Sequence, residues 1–123
     1  MTVHMNPWQE VGPGSASGGG ISNTTTHSTN PETAIAPDGT PYVVWDNFEG
    51  YPSTDHRIYI RRWNGSHWEE AGLGSASGMG ISGTTAARDP SLAVSIDGTV
   101  YAAWRDHNFD GSFLEIYARQ YYE

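Results

Sequence analysis

The segment from Asp106 to Gly111 resembles the opening of a calcium-binding loop. Asp106, Asn108 and Asp110 place oxygen-bearing side chains at alternate positions, and Gly111 follows them. Such alternation wraps a hard cation, and the glycine permits the sharp bend. The chelating Glu of these loops stands six residues after the glycine, where this chain has Tyr117. We therefore expect no cofactor, with calcium at these three residues as the alternative to a solvated acidic loop.

Catalytic chemistry has weaker support. His27, His56 and His107 share no metal-ligand spacing, and no Ser-His-Asp order is legible. Glycoside hydrolysis needs two carboxylates, which any acidic surface could supply. The candidates here are Asp46, Glu49, Asp55, Asp106, Asp110 and Glu115. We predict that the chain is not an enzyme, with a glycosidase-like activity as the less favoured alternative.

Aromatic side chains beside polar groups can hold a sugar, because the ring packs on the sugar and charged groups bind its hydroxyls. Arg57, Trp63 and Trp68 are candidates for such a site. Their alternative role is packing in a hydrophobic core.

Composition limits the partners. The chain has 123 residues, a formal net charge of −8, 37% hydrophobic residues and no cysteine. The negative charge argues against nucleic acid as a partner, and the absence of cysteine excludes disulfides and thiolate metal sites. No apolar run approaches the ~20 residues of a membrane span. We expect a soluble protein of undetermined compartment, with residues 1–5 a disordered or tag-derived start.

The sequence is an internal repeat with a period of about 59 residues. Trp8 aligns with Trp68, Trp45 with Trp104, and the third strand of one half with that of the other. The best preserved stretch is GSASGGGIS (14–22), which returns as GSASGMGIS (74–82). We divide the chain into repeat unit 1 (6–64) and repeat unit 2 (65–123).

Each unit is predicted to contain short β-strands and no helix, because no segment shows a 3.6-residue apolar period. Asp-Gly and Asn-Gly pairs mark the hairpin turns. The predicted strands are 32–36, 42–45, 57–63, 68–70, 91–94, 101–104 and 115–119. Small residues in the first strand and aromatic residues in the next two match the taper of a propeller blade.

The repeat predicts that the chain begins with the fourth strand of a blade and not with the first. The segment from Trp8 to Val11 aligns with the fourth strand at 68–71, and the chain ends where unit 2 would need its own fourth strand. We therefore predict an all-β fold, a β-propeller with two four-stranded blades per chain. The ring would close by homo-oligomerisation, in which each N-terminal strand completes a neighbour's blade. Six blades are favoured and eight come second; a monomeric β-sandwich is the competing fold.

The longer connections are expected at one end of the blades, which makes that end the expected functional face. They comprise 46–56, 105–113 and both glycine-serine stretches.

The run RIYIRRWNGSHW (57–68), preceded by DGTPYVVW (38–45), resembles blades of bacterial β-propeller repeat proteins. The Trp-Asn-Gly hairpin and the two-blade length are also similar to small fucose-binding propeller lectins, which assemble as trimers. In those lectins an Arg, a Glu and a Trp hold the sugar. The resemblance implies Arg57, Glu69 or Glu70, and Trp68 in these roles, with Glu115 at the position of Arg57 in the second unit.

These observations predict a self-assembling, non-catalytic propeller subunit that binds a ligand, with a glycan as the leading class. A structural or engineered propeller fragment without a ligand is the alternative.

Overall fold

The computed structural model of the protein describes residues 7–107 and 111–122. Within them the chain forms seven antiparallel strands in two sheets, ordered as simple meanders. Sheet 1 contains β1 (His27–Ile35), β2 (Pro41–Phe48), β3 (His56–Trp63) and β4 (Trp68–Glu70), and sheet 2 contains β5 (Arg88–Val94), β6 (Val100–His107) and β7 (Leu114–Tyr121). The all-β prediction is confirmed, as is the division into four strands and then three.

The hairpin turns form where the sequence predicted them. Gly39 and Gly98 take positive φ values of 91° and 88°, which glycine adopts without a Cβ penalty. The Asp38 carboxylate accepts a hydrogen bond from Thr40 N at 2.9 Å, and Asp97 accepts one from Thr99 N at 3.0 Å. These Asx turns fix the β1–β2 and β5–β6 registers at equivalent points.

The repeat extends to irregular details of the backbone. The first strand of each sheet carries a bulge, between Thr29 and Glu32 in β1 and between Arg88 and Ser91 in β5. Asn30 and Asp89, the residues before the two prolines, hold positive φ values of 54° and 55°. The bulges lengthen both first strands beyond the predicted 32–36 and 91–94.

The main core lies between the two sheets. Tyr42, Val44, Ile58 and Ile60 of sheet 1 pack with Ala102 and Trp104 of sheet 2, and all six are buried. A second core covers the other face of sheet 1, where Val43, Trp45 and Tyr59 pack with Ile21 from the first glycine-serine stretch. Both faces of β2 are therefore buried, as a central strand requires.

Sheet 2 is covered on one face only. In β6 the residues Val100, Ala102, Trp104 and Asp106 are buried, whereas β7 is exposed along almost all of its length. β7 is also the edge strand of its sheet. Sheet 2 thus presents an open face and an open edge.

The N-terminal segment Trp8–Val11 belongs to none of the seven strands, and Trp8 is 85% exposed. The unit boundaries at 6–64 and 65–123 stay a prediction, and the predicted start at residues 1–5 lies outside the described residues. Among residues 7–107 and 111–122, no helix has the length and apolarity needed to cross a membrane.

Candidate functional site

Arg57 lies at the long-loop end of β3, where carboxylates already engage it. Its guanidinium donates to Glu49 at 3.0 Å and to Asp55 at 3.1 Å. Trp63 and Trp68 pair at the opposite end of the strand, with ring centroids 5.8 Å apart. The six steps along β3 from Arg57 to Trp63 span about 20 Å, so the structure does not bring the predicted sugar-binding residues together.

Glu69 and Glu115 also occupy separate places. Glu69 accepts hydrogen bonds from Asn64 at 2.7 Å and from Arg62 at 2.9 Å. The bond from Asn64 has the larger effect and the bond from Arg62 the smaller, and both lower the pKa of the Glu69 carboxyl. Glu115 is exposed on β7, opposite Asp106, which is the register position that Arg57 holds in sheet 1.

The proposed calcium ligands are described in part. Asp106 is buried and accepts hydrogen bonds from the Thr84 hydroxyl and from His107 N. Asn108 and Asp110 lie outside the described residues. In the part of the chain that the structure does describe, no group of three His, Cys, Asp or Glu side chains could hold a metal ion.

Each of the two glycine-serine stretches donates hydrogen bonds to the carboxylate of a glutamate in the same chain. Glu70 accepts hydrogen bonds from Gly74 N at 2.9 Å, Ala76 N at 3.1 Å and the Ser77 hydroxyl at 2.8 Å. Burial disfavours its ionised form, but these bonds outweigh burial and lower the pKa of the Glu70 carboxyl. The loop is thus a nest of amides closed around an anion.

The first copy repeats this arrangement. Glu10 accepts from Ala16 N and from the Ser17 hydroxyl, both at 2.7 Å. The bond from Ser17 lowers the pKa of the Glu10 carboxyl most, and the bond from Ala16 lowers it further. Sequence reasoning missed this role, although a glutamate four residues before both GSASG stretches was a visible signal.

The second stretch continues the edge of sheet 1 after β4 ends. We call residues 12–23 loop 1 and residues 72–83 loop 2. Ile60 N donates to Ser75 O at 3.0 Å, Ile81 N donates to Ile58 O at 2.8 Å, and Ile58 N donates to the Ser82 hydroxyl at 3.3 Å. Loop 2 therefore lies along β3 and completes its hydrogen bonding, rather than clustering at the long-loop end as predicted.

Loop 1 lies over the second core, and an open cleft of about 300 Å³ separates part of it from sheet 1. Arg61, His67 and Trp68 of sheet 1 face Asn23 and the glycines of loop 1 across the cleft. Trp68 is anchored there, because its indole N–H donates to the Ser15 hydroxyl at 2.9 Å. The Nε of Arg61 is buried and has no hydrogen-bond partner among residues 7–107 and 111–122.

A similar cleft of about 320 Å³ lies between loop 2 and sheet 2. Arg119 and Tyr121 line it, at the register positions of Arg61 and Trp63. Gly72 packs against the Tyr121 ring as Gly12 packs against Trp63. Sheet 2 contains no strand equivalent to β4, so this cleft has no counterpart of Trp68 among the residues of sheet 2.

A separate cluster of rings lies at the long-loop end of sheet 1. His27 stacks on Phe48 and Phe48 stacks on His56, with centroids 5.8 and 4.4 Å apart. His56 Nδ1 lies 2.8 Å from the buried Asp46 carboxylate. Burial raises the Asp46 pKa, and the bond to His56 offsets only part of that increase.

No protein-family model matches this sequence, and the search of curated proteins gives no significant match.

Proposed function

We propose that the chain is a self-assembling β-propeller subunit, in which copies pack head to tail so that the sheets become successive blades of a closed ring. Its activity is non-catalytic binding. The observation that carries the proposal is the exposure of sheet 2 at positions whose counterparts in sheet 1 form the core.

The exposed face of sheet 2 has the composition of a core. Tyr101 and Ile116 are 44% and 76% exposed, whereas Tyr42 and Ile58, at the same register positions in sheet 1, are 5% and 0% exposed. Sheet 2 buries Tyr42 and Ile58 by packing on sheet 1. Sheet 1 of a second copy is the matching cover for Tyr101 and Ile116, because the same surfaces would meet.

The open edge of β7 can accept loop 1 of a second copy in the way that the edge of β3 binds loop 2 within one chain. Loop 2 bonds to Ile58 and Ile60 through Ser75, Ile81 and Ser82. The equivalent residues of β7 are Ile116 and Ala118. Those of loop 1 follow from the repeat as Ser15, Ile21 and Ser22. A second copy's loop 1 would therefore make the same hydrogen bonds to β7, with its segment Trp8–Val11 in the position of β4.

The two different sides of each copy allow a ring to form. Each copy has one donor side, loop 1 with Trp8–Val11, and one acceptor side, β7, so the contact is heterologous and forms a ring when the rotation closes. Propellers have about four to eight blades, which for two sheets per copy means two to four copies. Three copies are favoured, in line with the lectin resemblance. A monomeric sandwich is the competing fold and leaves Tyr101 and Ile116 in water.

Light scattering tests the assembly. We expect the intact chain to have a mass two, three or four times 13.4 kDa. Ile116→Glu places a charge on the exposed face without disturbing the isolated subunit and is expected to give a folded monomer. Tyr51→Glu is the matched control, because Tyr51 is 94% exposed in the connection between β2 and β3 of sheet 1. A stable 13.4 kDa species for the intact chain would contradict the proposal.

A further inference from the structure

We propose that Arg61, Trp68 and loop 1 form a binding site for a sugar that carries a carboxylate, such as a hexuronate. The site at Arg61 lies within one chain. Its counterpart at Arg119 rests on the proposed assembly, because a second copy must complete it.

Arg61 provides a positive charge that no acidic residue of its own sheet neutralises by direct contact. On the same strand, Arg57 pairs with Glu49 and Asp55, and Arg62 pairs with Glu69. The side chain of Arg61 forms no hydrogen bond or ion pair with residues 7–107 or 111–122, and its Nε is buried. A partly desolvated guanidinium is a strong donor for a carboxylate, which it can bind through two parallel bonds.

The carboxylate opposite Arg61 accepts its hydrogen bonds elsewhere. Glu70 is the cross-strand neighbour of Arg61, but its oxygens accept from the amides and the serine hydroxyl of loop 2. The charge of Arg61 contributes to the lowered pKa of Glu70, the smallest of the contributions, without a hydrogen bond between the two side chains. The guanidinium of Arg61 can therefore donate to an anion in the cleft.

The rest of the cleft fits a sugar ring better than a simple anion. Trp68 supplies a fixed aromatic surface, held by Ser15 and by contact with Trp63. Asn23 lines the cleft and offers hydrogen bonds to hydroxyl groups. The volume, about 300 Å³, lies at the lower end of ligand pockets and suits a single monosaccharide.

Arg119 occupies the equivalent position in the cleft beside loop 2. The residue that aligns with Trp68 is Trp8, which in this chain is 85% exposed and distant in sequence from sheet 2. In the head-to-tail assembly, Trp8 of a second copy takes the position of Trp68 beside Ser75. The second site therefore contains residues of two copies, and the assembled protein has two sites per chain.

Calorimetric titration of the full chain with methyl glucuronide tests the site. Methyl glucoside has the same ring without the carboxylate, and acetate has the carboxylate without the ring. We expect both to bind at least about tenfold more weakly than the glucuronide, since each lacks one of the two interactions. Equal binding of acetate and glucuronide would overturn the assignment of a sugar, and the absence of glucuronide binding would overturn the site.

Two variants locate the binding. Arg61→Gln is expected to weaken the site within the chain at least about tenfold. Arg88→Gln, which removes the same charge from an exposed position of β5, is expected to leave the affinity unchanged. Unchanged affinity in Arg61→Gln, with its fold verified by thermal unfolding, would refute the proposal.

Trp8→Ala separates the site from the assembly. In this variant we expect the number of glucuronide sites to fall from two per chain to one. A monomeric chain with one site that depends on Arg61 would refute the assembly and support this site. An oligomer of the expected mass without glucuronide binding would support the assembly and refute the site.

Discussion

Gly80 lies so close to the carbonyl oxygen of Ile58 that a Cβ at this position would overlap it. The contact forms because the neighbouring Ile81 N–H donates to the same oxygen at 2.8 Å. Gly80 also has a φ of 65°, which disfavours residues with a side chain. The glycine is therefore required both by its own backbone conformation and by the strand beside it.

Gly80→Ala is expected to lower the free energy of unfolding by about 2 kcal/mol or more, since overlap with the Ile58 carbonyl adds to the backbone strain. Gly74→Ala is the matched control. Gly74 has a φ of 82°, but no atom lies within 4 Å of its would-be Cβ, so strain alone should cost about 1 kcal/mol. Urea unfolding measures both, and equal losses would contradict the role given to Ile58.

Gly20→Ala is expected to prevent assembly while leaving the subunit folded. Gly20 is the counterpart of Gly80, with a φ of 68°, and no atom of the described part of the chain lies within 4 Å of its would-be Cβ. In the proposed contact, that Cβ would overlap the Ile116 carbonyl of a second copy. Light scattering compares it with Gly14→Ala, the counterpart of the Gly74 control. An unchanged mass for Gly20→Ala would contradict the match between loop 1 and β7.

Glu70→Gln is expected to destabilise the protein by about 1–2 kcal/mol at pH 7, because it replaces three hydrogen bonds to a charge with weaker neutral ones. The lowered pKa of Glu70 gives stability that is present above its ordinary value, near pH 4.3, and is lost as the pH falls through the folded value. The difference between the two proteins should therefore shrink in acid.

Urea unfolding at pH 7 and pH 3 checks this prediction, with Glu32→Gln as the control because Glu32 is an exposed carboxylate on β1. A difference that is the same at both pH values would mean that the charge of Glu70 is not what the loop stabilises.

Asp46→Asn should have the opposite pH dependence. The Asp46 pKa is raised, so the folded state holds the proton more tightly than the unfolded state does. The resulting stability is full below the ordinary Asp value, near pH 4, and is lost as the pH rises through the folded value. Relative to the asparagine variant, the wild type should therefore become less stable from pH 4 towards neutrality. A constant difference in unfolding free energy over that range would contradict the prediction.

The positions and order of the seven strands were predictable because each depends on neighbouring residues. The Asp-Gly and Asn-Gly turns are local signals, and the structure confirms them. The segment Trp8–Val11, which the repeat predicted to be a fourth strand, is not among the strands of the described residues. The bulges at Asn30 and Asp89 were missed, since positive φ values at non-glycine residues have only a weak sequence signature.

The candidate site was less accessible from the sequence. Arg57, Trp63 and Trp68 are close in the chain, but an extended strand separates the arginine from both rings. Arg61 was missed because its significance is an unmet hydrogen bond of the side chain. That in turn depends on where the carboxylates that bind Arg57 and Arg62, and the carboxylate of Glu70, lie in space. Such pairing choices become visible only in three dimensions.

The closure of each glycine-serine loop around a glutamate has an evolutionary consequence. Glu70 and residues 74–77 form one unit of recognition, so a change in either leaves a carboxylate without donors or amides without an acceptor. The glutamate and its loop should then be inherited as a linked pair and be lost together in diverged copies of the repeat. Among related repeats, we expect the glutamate position and the loop positions to covary.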